Sequence, residues 1–368
     1  MKHKMFNLLQ RVTASGRKIL YIDGLRFFAV VSVFIFHFID FYTDHHNDFL
    51  TDWSHLKGNL QGSVMGVILF FAISGFLIAI PFYNAYVIRD GHVSLRHYYF
   101  RRLTRLEPPY IIHLVILLFL MVFILKTKTT AEVFPHFLAS LFYVHEIVYK
   151  EMPLLNTVLW TLEIEIQFYL SAPLLALIFK MKALPRRLIF LSILIIFTFC
   201  KPIDFGFPTV FRFIHYFIVG FLALDIFMTI KQKLGKYLLF DGLCFSSILF
   251  LWFSTKDYWT LIFLFVLLAF SAQTVYFIKI LENKFIYTIG GMCYSIYMLH
   301  QKIIYLVYSL VTRELIIGQH VLVDFFCRML LTFAAVVLIS SIFFIFIERP
   351  TMKKEWWRYR SWKKLFLT

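Results

Sequence analysis

YIDGLRFFAVVSVFIFHF, residues 21–38, is the stretch on which the reading of the whole chain turns. Extended to residue 42, it is an apolar run long enough to cross a hydrocarbon core of about 30 Å. It nevertheless carries an arginine and a histidine, Arg26 and His37, eleven residues apart. At roughly 100° and 1.5 Å per residue, the two fall about 20° apart around a helix and about 16 Å apart along it. They therefore share one helix face. Ionisable groups at such depth are costly and mark positions that face a bundle interior, a cavity or an ion pair.

Working outward, the same pattern recurs along the chain. Of 368 residues, 60% are hydrophobic, 20% aromatic and only 16% charged, which places the chain outside the soluble globular range. Apolar segments at 22–42, 63–83, 108–125, 156–179, 188–201, 210–230, 239–254, 259–278, 287–311 and 322–347 read as ten spans. The expected fold is an all-α polytopic membrane helix bundle. The breaks between segments are too short for a soluble domain. An eleventh segment, 133–149, contains Pro135, His136, His145 and Glu146, and loop charge decides whether it crosses. If it does not, 26 lysines and arginines lie on the N-terminal side and 7 on the other; if it does, the split becomes 14 against 19. The positive-inside rule selects the first arrangement. Both termini are then cytoplasmic, and 133–149 is a re-entrant or interfacial helix packed against protein.

The net charge of +16 does not point to nucleic acid, because the basic residues cluster between apolar runs rather than along a polar face beside exposed aromatics. Cys200, Cys244, Cys293 and Cys327 have no metal-ligand or redox spacing and read as packing residues. His45, His46 and His55 in the first outer loop match no ligand pattern, so no metal is expected. Residues 1–21 form a basic segment before a first span that lacks a cleavage site, residues 22–347 the membrane domain, and residues 348–368 a basic, aromatic tail suited to an interfacial anchor.

The candidates for chemistry follow from what is ionisable inside the apolar runs. A neutral, buried imidazole at His37 can take a proton from a hydroxyl, and Asp40, one turn on, is placed to orient it. Between the second and third segments stand Arg89, Arg96, Arg101, Arg102 and Arg105, ahead of Pro108 and Pro109. They serve as an orientation signal, and arginine throughout also suits bidentate binding of phosphate oxygens. In WTLEIEIQFY, 160–169, Glu163 and Glu165 are about 200° apart and cannot share a helix face, whereas Glu165 and Tyr169 can. Trp160 sits where indole favours the interface. CYSIYMLHQK, 293–302, makes a polar stretch of Tyr294, Ser295, Tyr297, His300 and Lys302 in an apolar helix, by interhelical hydrogen bonding or as part of a site. Arg212, Lys302 and Arg328 complete the basic residues inside apolar segments.

Taken in order, IDGLR with a histidine eleven residues after its arginine, GVILFFAISGFLI at 66–78, RRLTRLEPPY at 101–110, WTLEIEIQFY at 160–169, YSIYMLH at 294–300 and IERP at 347–350 resemble acyltransferase family 3, over nearly the whole chain. The resemblance implies transfer of an acyl group, usually acetyl from cytoplasmic acetyl-CoA, to a hydroxyl of a glycan or lipid-linked glycan beyond the membrane, in the bacterial cytoplasmic membrane. It implies His37 as the catalytic histidine and Glu165 as the acid of the tryptophan motif, beside which Asp40 and Glu163 stand as acidic candidates from their own positions. By the same resemblance Arg26, Arg102 and Arg105 would serve the acyl-CoA; the residues themselves add Arg101 beside them, and Trp160, Tyr169, Tyr297 and His300 as the lining of a substrate path. Glu163 stands where the family's pattern has a small polar residue. Many relatives carry a further C-terminal hydrolase-like domain, and the short tail here reads as a stand-alone membrane module. The rival from another class is a transporter or flippase of a glycan or lipid-linked precursor, since polar residues inside a bundle also line transport paths. The absence of visible internal repeats weighs against it.

Overall fold

The computed structural model describes residues 8–12, 19–45, 64–200, 203, 205–231, 235–253, 256–312 and 321–352. Most of the basic N-terminal segment, the loop carrying His46 and His55, and the tail from 353 onward lie outside the described residues. Among the described residues every regular element is helical and none is a strand, as a bilayer demands, because a helix satisfies its backbone polar groups within its own segment. The principal helices are α1 (Leu20–His45), α2 (Val64–Tyr83), α3 (Leu95–Phe119), α4 (Thr130–Leu141), α5 (His145–Tyr149), α6 (Trp160–Leu175), α7 (Ala183–Ile195), α8 (Val210–Ile230), α9 (Leu238–Phe253), α10 (Asp257–Phe270), α11 (Phe277–Leu281), α12 (Lys284–Gly291), α13 (Cys293–Val307) and α14 (Val321–Phe343). With their π-helical and 3-10 extensions, seven stretches among the described residues are long and apolar enough to cross a membrane: Leu20–Asp44, Met65–Ile88, Leu95–Ile124, Thr157–Lys180, Ala183–Cys200, Val210–Ile230 and Val323–Thr351. Leu238–Phe253 and Asp257–Gln273 are shorter apolar helices. The fold is thus an all-α polytopic membrane bundle.

Three elements differ from the pattern of the sequence. The third apolar stretch starts at Leu95 rather than 108, with Ser94 as N-cap accepting from the His97 N–H. Of the arginines expected in a loop, Arg96, Arg101, Arg102 and Arg105 therefore stand on α3 while Arg89 precedes it, and Pro108 and Pro109 lie inside the helix. A proline pair reads as a helix start, but a capped N-terminus upstream outweighed it. Segment 133–149 is broken into α4 and α5. Thr129 and Glu132 form a reciprocal capping box at the start of α4, and Tyr143 turns the chain with φ 56°. At 12 residues, α4 is about 18 Å long and cannot cross by itself. The stretch 287–311 is interrupted at Met292, which separates α12 from α13.

The chain divides into two compact units, each described by itself. The first comprises Met1–Gly66, Leu103–His113 and Glu282–Thr368. In it α1 packs on α12 and α13, and α13 packs on α14. Gly290 of α12 meets α1 so closely that a Cβ there would stand 1.8 Å from the Asp23 carbonyl oxygen. Arg328 pairs with Asp324 at 2.6 Å, and Asp324 also accepts from the Tyr42 hydroxyl at 3.0 Å.

The second unit comprises Val67–Arg102 and Leu114–Leu281, with α8 packed against α6, α7 and α10. Its core is aromatic: Phe168 stacks on Phe217 at 3.9 Å, and Phe179 and Phe190 close on Phe221. Gly75 and Gly220 let α2 and α8 touch backbone to backbone, a Cβ at either meeting the opposite carbonyl at 2.1 or 2.2 Å. Small residues supply such approaches where lipid gives helices little hydrophobic drive to associate. Asp225, fully buried, is held by Arg186 and Arg187, a pairing that removes the cost of an isolated charge.

Candidate active site

In the first unit, α1 carries the two residues the sequence singled out. At its N-terminal end Arg26 lies 2.8 Å from Asp23, three residues earlier, and Arg11 lies 3.1 Å from the same carboxylate oxygen. Asp23 and Arg26 are both buried. A second buried carboxyl, Glu348, accepts from the backbone N–H and the hydroxyl of Ser295, and the cations that face it are Arg105 and Arg11. The end of this unit thus gathers three guanidinium groups against two carboxyls, an excess of positive charge suited to an anionic ligand. Tyr294 is tied to the same region through a hydrogen bond from its hydroxyl to the Leu106 carbonyl at 3.1 Å.

Farther along α1, His37 meets the ring of His300 on α13, the centroids 5.1 Å apart and the planes at 46°. His300 is fully buried. Its Nδ1 faces the carbonyl oxygens of Tyr297 at 2.7 Å and Ile296 at 3.2 Å. Asp40, expected to orient His37, is exposed. Tyr297 is buried beside His300, ring centroids 5.7 Å apart.

In the second unit, the two glutamates of α6 separate as their spacing requires. Glu165 accepts from Ser74 Oγ on α2 at 2.8 Å and from the Tyr169 hydroxyl one turn on. Arg102 places its guanidinium over the rings of Tyr98 and Tyr169, at 5.7 and 5.3 Å, and the Tyr98 hydroxyl donates to the Tyr169 carbonyl at 3.2 Å. Ser74, Glu165, Tyr169 and Arg102 are therefore one connected set. Arg101 is exposed on α3. Trp160 packs against Phe213 at 5.4 Å.

Glu163 turns the other way. It is buried and accepts the backbone N–H groups of His145 and Glu146, both at 3.1 Å, so it fastens the start of α5 to α6. Neither oxygen of the neighbouring Glu146 carboxyl has a hydrogen-bond partner among the described residues. Burial first, and then the charge of Glu163, push Glu146 up to about 7. His136 and His145 join ring to ring at 2.8 Å, with Tyr149 stacked on His136. Burial first, and then the neighbouring His136, hold His145 below the usual histidine range. Among the described residues no group of three or more His, Cys, Asp or Glu side chains is placed to hold a metal ion.

Several members of these sets were not singled out by sequence reasoning. Asp23 and Ser74 sit inside the quoted motifs but read as filler, although an aspartate three residues before an arginine is a helix-face ion pair in waiting. The link of Ser295 to Glu348 joins two motifs more than fifty residues apart, and nothing local announces it. Glu146 was visible only as a charge in a marginal apolar segment.

The helices and their buried charges define a class, an integral membrane bundle that holds ionisable side chains inside its two units. The family is then given by comparison: the model of acyltransferase family 3, described as an acyltransferase domain, matches residues 19–345, and the chain belongs to that family. The O-acetyltransferase OatA of Staphylococcus aureus strain NCTC 8325 / PS 47 is 26% identical over 396 residues, covering 96% of this chain and 60% of the relative. OatA of strain MRSA252 gives the same figures. The chain thus spans about 60% of the length of these curated relatives. No solved structure matches.

Proposed function

We propose that this chain is a membrane-bound O-acyltransferase, moving an acyl group, acetyl in the first instance, from cytoplasmic acyl-CoA to a hydroxyl of a glycan or lipid-linked glycan on the other side of the bacterial cytoplasmic membrane. The observation that carries the reading is the arrangement along α1: an arginine cluster around the buried Asp23 and Arg26 at one end, and, farther along the helix, a histidine against a second histidine. Family membership and the names of the O-acetyltransferase relatives support the same reaction class. The excess of arginine over carboxyl around Arg26, with Arg11 and Arg105, suits the phosphates of coenzyme A, and the basic N-terminal side of the chain supports a cytoplasmic position for it. Arg102 and Arg101 remain candidates for the same ligand. Ser74, Glu165 and Tyr169 are candidates for holding polar substrate groups.

In this mechanism a ring nitrogen of His37 takes the proton of the acceptor hydroxyl as its oxygen attacks the thioester carbonyl. The carbon–sulfur bond then breaks, and the departing thiolate takes that proton. In a covalent variant His37 attacks first, releases CoA and passes the acyl group to the hydroxyl. A single turnover in the absence of acceptor separates the two, because only the covalent route leaves labelled acyl group on the protein. The function itself is tested with purified protein and acetyl-CoA. The wild type releases free CoA in an acceptor-dependent way and His37→Ala does not; no such release by the wild type would refute the proposal, and undiminished release by the variant would remove His37 from the mechanism.

A further inference from the structure

His300 is oriented by its own helix. Its Nδ1 faces two carbonyl oxygens, Tyr297 at 2.7 Å and Ile296 at 3.2 Å. Carbonyls only accept, so Nδ1 must carry the hydrogen, and Nε2 is left as a lone pair that cannot donate. Nε2 is buried and makes no hydrogen bond among the described residues, in a side chain with no exposure. A buried acceptor without a donor is costly unless something supplies one. Two polar rings lie beside it, that of Tyr297 on its own helix at 5.7 Å and, nearer, that of His37 on α1 at 5.1 Å between centroids. Because ring nitrogens lie off the centroid, a turn of the His37 ring brings one of them within hydrogen-bond reach while both helices stay in place.

We propose that His300 is the positioning residue of His37, a neutral imidazole that takes the part usually given to a carboxylate beside a catalytic histidine. The inference rests on the reading of His37 as the base. As His37 takes the proton from the acceptor hydroxyl, both of its nitrogens carry hydrogen, and His300 Nε2 accepts the one turned away from the substrate. His300 itself neither gains nor loses a proton. Its fixed tautomer selects the His37 tautomer whose free nitrogen faces the hydroxyl, as the aspartate of a Ser-His-Asp triad does for its histidine. A neutral partner suits this place, since a lone carboxylate deep in an apolar bundle would carry a large desolvation cost. Asp40, the acid nearest in sequence, is exposed.

The test uses full-length protein in nanodiscs with acetyl-CoA and a soluble glycan acceptor, alongside nitrogen-15 spectra of histidine-labelled protein. His300→Phe keeps a ring of similar size and removes the acceptor, whereas His300→Gln restores a carbonyl acceptor. The expected result is a fall in kcat of about a hundredfold for the phenylalanine variant, with KM for acetyl-CoA unchanged, substantial recovery in the glutamine variant, and a changed tautomer signal at His37 in the phenylalanine variant alone. Wild-type kcat in His300→Phe overturns the inference. So does an equal loss in both variants with the His37 signal unchanged, which would reduce His300 to packing. Full activity of His37→Ala would instead remove the base assignment, and the nitrogen spectra would still report whether His300 holds His37.

Discussion

Replacing Gly290 by alanine would put a methyl carbon 1.8 Å from the Asp23 carbonyl oxygen and 2.8 Å from both the Asp23 carbonyl carbon and the Phe27 nitrogen. All three atoms are backbone of α1, so no side-chain rotation relieves the clash. A carbon tolerates a carbonyl oxygen at about 3.3 Å, and α12 and α1 must therefore part by roughly 1.5 Å. Overpacking of this kind costs about 1–3 kcal/mol or more, against a gain of up to about 1 kcal/mol from alanine's helix propensity. The net expectation is a loss of up to about 2 kcal/mol or more. The larger effect falls on function. Asp23 holds both Arg26 and Arg11, and a displacement of that size in a positioning element is worth on the order of a hundredfold in rate. Intrinsic tryptophan fluorescence during heating in detergent, with acyl-transfer rates on the same samples, measures both. Gly242→Ala is the control: it too lies in a helix, with nothing within 4 Å of its added carbon, so it should be neutral or slightly stabilising. A Gly290→Ala protein with wild-type melting temperature and wild-type rate would refute the close approach of α12 to α1.

Asp23→Asn leaves the buried Arg26 and the part-buried Arg11 without the carboxylate they share, a change that costs up to about 3–5 kcal/mol when a buried pair is broken. A polyanion that binds there offsets part of that cost, so coenzyme A should raise the melting temperature of the variant by more than it raises the wild type's; an equal or smaller shift would separate the arginine cluster from the ligand. Around Glu146 the expectation is a pH dependence. Its carboxyl rises from 4.5 to about 7 in the folded protein, so the folded state holds a proton that the unfolded chain releases between these values. Its contribution is complete below about 4.5 and is lost as pH rises through 7. The full shift would be worth about 3 kcal/mol, and solvent screening reduces this to about 1–2 kcal/mol. Hydrogen exchange across residues 145–149 from pH 5 to 8, corrected for intrinsic rates, should show protection falling with pH in the wild type and much less in Glu146→Gln. An identical pH profile in the two proteins would exclude Glu146 as the cause.

The paired placement of Arg26 and His37 needed only helical arithmetic, because both lie in one uninterrupted apolar run. The opposition of Glu163 and Glu165 was legible for the same reason: residues two positions apart on a helix cannot share a face, and the acids indeed have different partners, α5 for one and Ser74 with Tyr169 for the other. The start of α3 was not legible, since Pro108 and Pro109 signal a boundary locally while Ser94 supplies the actual cap. Nor was the partner of His37, because His300 lies 263 positions away in the sequence.

Composition and periodicity alone determined a helical membrane bundle and the face on which its first charged residues lie, since hydrocarbon solvent forces every span to satisfy its own backbone and makes each internal charge conspicuous. Tertiary structure alone decided which distant groups meet: Arg11 on Asp23, Ser295 on Glu348, His300 against His37. Those pairings depend on how α12 and α13 pack against α1 and on close approaches such as that of Gly290, and packing between distant helices leaves no periodic signature in the chain.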